Sequence, residues 1–136
     1  MKKYIALVTL TFLFLINCAS APIRWVSTPE YSDVDYDRAW QIVVSTITED
    51  FDIDVIEKES GYLMTVWKSV SPSMGEQLEG YEKAGIRVTC KVEKREPFKL
   101  KLRVQRAVLD AGTWTPKSGD ERWEKELFEK IKLRLK

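Results

Sequence analysis

The chain has 136 residues, 44% of them hydrophobic, and sets 22 basic side chains against 21 acidic ones for a formal net charge of +1. That length accommodates one hydrophobic core, and the near balance of charge leaves no electrostatic footprint for nucleic acid. The chain also lacks histidine, which removes the commonest general base, the commonest metal ligand and every Ser-His or Cys-His nucleophile pair.

In chain order, Met1-Lys2-Lys3 is followed by an uncharged apolar run from Tyr4 to Ile16. A basic start and about 13 apolar residues fit an export signal, and fall short of the ~20 residues a spanning helix needs. Leu15-Ile16-Asn17-Cys18 closes the run and resembles the lipobox of bacterial lipoproteins. The resemblance implies removal of residues 1–17 and acylation of Cys18, whose attached chains make anchoring effectively permanent. Ala19 in place of Asp after the cysteine implies, by the sorting rule of such lipoproteins, the outer membrane; which side of it the domain faces stays open. Residues 18–34 carry Pro22 and Pro29 without an apolar period and read as an extended tether. Trp25, beside Arg24, is placed to lie at lipid headgroups or to dock on a partner. With Cys18 acylated, Cys90 has no disulfide partner, and its place between Val88 and Val92 reads as a buried small hydrophobe.

Residues 35–136 read as a single domain. Tyr36, Ala39, Trp40, Val43, Val44 and Ile47 make one helical stripe with Asp35 as its cap. Phe51, Ile53 and Val55 alternate with Asp52 and Asp54, and beyond a turn at Glu59-Ser60-Gly61 the run Tyr62 to Trp67 completes a hairpin. Ser69 to Gly85 reads as a long connection with one helical turn near Gln77-Leu78. A second hairpin has the clearest alternation. Ile86, Val88, Cys90 and Val92, then Phe98, Leu100, Leu102 and Val104, point one way, and Arg87, Thr89, Lys91, Lys99, Lys101 and Arg103 the other. Residues 111–119 read as a loop, Ser118-x-x-Glu121 as a capping box, and Trp123, Leu127, Phe128, Ile131 and Leu135 as the stripe of a final helix. The fold class expected is therefore α+β, in the order α-β-β-β-β-α, with a four-stranded antiparallel sheet carrying both helices on one face and water on the other.

Trp40 in the first helix, and the pattern Ile56, Gly61, Thr65 and Trp67 in the hairpin after it, are similar to the helix-grip domains of BamC/NlpB-type outer-membrane lipoproteins, over about residues 31–136. The resemblance implies a helix-grip fold and a role accessory to outer-membrane protein assembly. It rests on packing positions and names no active residues.

For function, the wet face of the second hairpin is the candidate contact surface: Lys91, Lys99, Lys101 and Arg103, with Arg87 and Arg106 nearby. Like charges opposed in a sheet call for water, acidic neighbours or an anionic partner. Trp67 and Trp114 are candidate aromatic anchors. Asp52 and Asp54, about 7 Å apart along a strand, match a carboxylate pair in spacing alone. No nucleophile motif, metal-ligand cluster or cofactor signature accompanies them. The reading is a non-catalytic interaction or scaffold module fixed to the envelope by its N-terminal lipid, with an envelope protein as partner. The alternative is a periplasmic carrier that holds an apolar ligand between helix and sheet.

Overall fold

The structure is a computed structural model that describes residues 20–136; Cys18 and the apolar run before it, on which the export and acylation readings fall, lie outside the described residues. Val26–Ser27 form a short strand, β1. The stripe that begins at Tyr36 becomes α1, Tyr36–Thr48, and Asp35 caps it by accepting the Arg38 amide. The first hairpin pairs β2, Ile53–Glu57, with β3, Tyr62–Thr65. β4, Lys68–Val70, then leads to a short helix α2, Met74–Leu78, whose capping box joins Ser73 and Glu76. The long hairpin is β5, Ala84–Arg95, with β6, Phe98–Asp110. β7, Thr113–Gly119, and α3, Glu121–Leu135, complete the chain.

All the strand pairings are antiparallel, in the order β1-β6-β5-β3-β2, with β4 beside β5 and β7 beside β6. The two central strands are long enough that each outer edge is shared. β3 and β4 follow one another along β5, while β1 and β7 flank opposite ends of β6. Between β3 and β4 the register against β5 slips by one residue, and there the Val88 amide donates to Thr65 Oγ1 at 3.0 Å instead of to a backbone carbonyl. The bulge releases Trp67 from the ladder, which is how a local irregularity re-aims a side chain.

α1 and α3 pack on the same face of the sheet and on each other, as the alternation of the long hairpin requires. Trp40, Val43, Ile47, Leu127 and Ile131 meet Leu63, Ile86, Val88, Cys90, Leu100, Leu102 and Val104, all at most 4% exposed. Burying each of the larger side chains contributes on the order of 1.5–3 kcal/mol. Among the described residues, every buried member of this core lies between Ala39 and Leu135. Cys90 is a fully buried part of it, and burial pushes its thiol up to about 12.

Three expectations are corrected. The sheet has seven strands rather than four, and a third, short helix joins the two long ones. The added strands are ones a periodicity cannot show: β1 spans two residues, β4 three, and β7 contains Pro116 on an outer edge, where proline is tolerated. The segment 18–34 is extended over its described part but not detached. β1 pairs with β6, the Thr28 amide donates to the Leu100 carbonyl, and Tyr31 bridges Phe98. Finally, Asp120 rather than Ser118 caps α3, accepting the Trp123 amide at 3.1 Å, because Ser118 is already committed to β7.

Candidate functional site

Among the described residues no helix covers the face of the sheet opposite α1 and α3. Directly opposed residues of an antiparallel pair share a face, so the β5 positions Gly85, Arg87, Thr89 and Lys91 lie beside Ala107, Gln105, Arg103 and Lys101 of β6. Gly85 supplies the floor. A Cβ there would come within 2.9–3.3 Å of three ring atoms of Trp114, so only glycine lets that indole lie on the strand. Trp67, freed by the β3–β4 bulge, stacks on Trp114 with ring centres 5.8 Å apart and planes 27° apart. The Arg87 guanidinium lies over Trp67 at 4.3 Å and donates through Nη2 to Gln105 Oε1 at 3.1 Å. Toward the other end, Arg103 at 4.6 Å and Lys101 at 5.0 Å lie over Trp25, which β1 delivers to the same face. The result is a row of aromatic planes and cations: Trp114, Trp67, Arg87, Arg103, Trp25, Lys101.

Its electrostatics are lopsided. Among the described residues neither Arg87 nor Arg103 makes a salt bridge. Among the described residues, Arg87 Nε, Thr89 Oγ1 and Arg103 Nε are buried without a hydrogen-bond partner, as is Tyr31 Oη, which lies elsewhere. Burial first, and the nearby Arg103 charge second, hold the Arg87 guanidinium below its ordinary value. Lys91 is exposed directly opposite Lys101, and Lys99 reaches Glu93 only at 3.9 Å. What this arrangement offers chemically is cationic donors set between aromatic planes.

The sequence-derived candidates therefore divide. Lys91, Lys99, Lys101 and Arg103 do share the open face, and Trp67 and Trp114 form one stack on it rather than two separate anchors. Arg106 does not belong there. It sits opposite Ile86 on the helix side, where Nε and Nη2 grip Glu76 at 2.7 and 2.8 Å and Nη1 reaches Asp120 at 3.5 Å. Arg106 switches sides because the strand register, not its neighbours in sequence, assigns its face. Arg87 moves from the margin to the centre, and Trp25 joins from the supposed tether. Thr89 and Gln105 are invisible as candidates in the sequence, because a lone hydroxyl and amide on a wet face carry no signal, and the structure buries both. Asp52 and Asp54 stay exposed, and Asp54 lies near enough to Arg87 to favour its charged form. Among the described residues no group of three or more His, Cys, Asp or Glu side chains is placed to hold a metal ion, and no helix is long and apolar enough to cross a membrane.

No family model and no curated protein matches the chain. Among solved structures it is similar to a TBP-like protein from Parabacteroides distasonis, at 9% identity and a TM-score of 0.44, over 80% of this chain and 92% of that one. It is also similar to a DUF4468 family protein from Bacteroides ovatus, at 8% identity and a TM-score of 0.41, over 82% of this chain and 78% of that one. Neither likeness brings a ligand, site or activity to this chain, and neither connects it with the BamC/NlpB-type family.

Proposed function

We propose that the chain is a lipoprotein of the bacterial envelope, held at the outer membrane through acylated Cys18, and that its domain is a non-catalytic interaction or scaffold module. The observation that carries this reading is the sheet face opposite the helices, where Arg87, Arg103 and Lys101 lie over tryptophans and, among the described residues, make no salt bridge. A cationic face left unneutralised within its own fold suits an anionic surface outside it. A role accessory to outer-membrane protein assembly is the finer form of the proposal and rests on the helix-grip resemblance at Trp40, Gly61 and Trp67.

The carrier alternative is less well supported. It needs an unfilled space between helices and sheet, and that space is occupied by Trp40, Val43, Leu127 and Ile131, each at most 4% exposed. Mild crosslinking in intact cells, followed by purification, tests the interaction reading. The expected result is a discrete set of crosslinked envelope components whose yield falls in K91Q/K99Q/K101Q and falls again with added salt, as screened surface charge requires. Yields untouched by both changes would remove the open face from the proposal, and a co-purifying apolar small molecule would favour the carrier.

A further inference from the structure

We infer that Arg87 and Arg103, with Thr89 between them, form a receptor for the phosphate group of an anionic phospholipid, so that the open face of the sheet lies down on the membrane. The inference rests on the proposed anchoring at Cys18 and names the anionic surface left general above.

The donors come first. Thr89 is directly opposite Arg103 and Arg87 is directly opposite Gln105, so the two guanidiniums are diagonal neighbours on adjacent strands. Diagonal neighbours are about 7–8 Å apart at the backbone, within reach of a single shared ligand for side chains of this length. Thr89 is fully buried, and its hydroxyl, like both ε nitrogens, lacks a partner. One guanidinium fork already saturates the two oxygens of a carboxylate, whereas donors from two guanidiniums and a hydroxyl suit a tetrahedral oxyanion with more oxygens to offer.

The source of the phosphate follows from where the chain enters the fold. The Gly119 amide donates to the Ala21 carbonyl at 2.9 Å, and Gly119 is opposite Gln105, the residue that holds Arg87. A Cβ on Gly119 would meet the Pro22 carbonyl oxygen at 2.4 Å, so the incoming chain is pressed against this edge of the sheet. Cys18 precedes Ala21 by three residues, which span at most about 11 Å. An acyl group on Cys18 therefore keeps the bilayer beside the receptor. Trp25 and Lys101 at the rim are the residue types that settle at headgroup depth and at anionic lipid surfaces.

The test uses residues 20–136, which hold the buried core of the described domain, with vesicles of phosphatidylcholine alone or mixed with phosphatidylglycerol. Co-sedimentation with the mixed vesicles only, a blue shift of tryptophan emission, and a loss of about tenfold or more in affinity for R87Q/R103Q are expected, the scale of losing charge-assisted bonds. R122Q/K125Q removes the same charge from exposed positions on α3 and should bind as the unaltered domain does. Equal loss in the two double variants, equal binding to both vesicle types, or undiminished binding by R87Q/R103Q overturns the inference. Saturation by inorganic phosphate in titration calorimetry without vesicle binding would make the receptor one for free phosphate and overturn the lipid assignment. R87Q/R103Q removes both members of a repelling pair and should leave Tm unchanged or raised. If R87Q/R103Q nonetheless melts early, Arg103→Gln alone serves, since Arg103 makes no hydrogen bond to its own chain among the described residues. The domain tested lacks Cys18, so failure of acylation in cells and failure of this inference are separate results.

Discussion

Gly85 shows how much one missing side chain decides on the open face. From sequence it reads as the last residue of the 69–85 connection, yet it lies in β5 and lets the Trp114 ring lie flat within van der Waals contact of the backbone. Gly85→Ala should lift Trp114 and break its stack on Trp67, at a cost of about 1 kcal/mol, the scale of one aromatic pair. Near-ultraviolet circular dichroism of the coupled indoles reads this directly, with urea denaturation giving the energy. An unchanged spectrum would show that the stack tolerates a methyl group and that glycine is there for another reason. The same packing explains why Arg87 matters more than its sequence neighbourhood suggests: its guanidinium is held between Trp67 and Gln105 rather than waving in solvent.

At the scale of elements, α2 is the piece with least to hold it. None of its residues is buried, and Met74 and Leu78 are 78% and 83% exposed. The two-pronged bond from Arg106 to Glu76 docks it on the helix side of β6, both side chains being less than a fifth exposed. That bond lowers the Glu76 carboxyl below its ordinary 4.5. A group depressed in the folded state contributes stability that is fully present above its unfolded value and is lost as the pH falls through the folded one. α2 should therefore stay docked above pH 4.5 and detach in stronger acid. Glu76→Gln should loosen it at neutral pH by about 1.5–3 kcal/mol, the range for a hydrogen bond to a charged group. Hydrogen exchange over residues 71–83 measures this. Global stability should change little, because α2 adds nothing to the core, and the acid dependence of exchange should vanish in the variant. Exchange in Glu76→Gln as slow as in the parent chain would mean that backbone contacts, not the ion pair, hold the helix. A helical turn near Gln77-Leu78 is legible in the sequence; its capping box at Ser73 and Glu76 emerges from the structure. The docking partner is not legible, because Arg106 is 30 residues away and its face depends on register.

For the whole molecule, a sheet covered on one side and uncovered on the other divides a packing face from a contact face, and the N-terminal chain enters at the edge between β6 and β7. Cys18→Ser should leave an unprocessed precursor and move the protein out of the detergent phase in a partitioning experiment. A parent protein that is found in the aqueous phase with no lipid mass on its N-terminal peptide would end the anchoring proposal. Strict alternation over Ile86–Val92 and Phe98–Val104 was enough to determine the central hairpin, its buried side and the placement of both long helices, because an apolar period of two leaves the chain one way to bury itself. The stripes from Tyr36 and Trp123 likewise determined α1 and α3. Only the tertiary structure decided the edges and the contact surface. β1, β4 and β7 are strands because long neighbours offer them unpaired backbone groups, not because their own residues alternate. Trp25, Trp67, Arg87, Arg103 and Trp114 come from five separate segments of the chain, and what joins them is strand register, a bulge and one glycine, none of which leaves a periodic mark in the sequence.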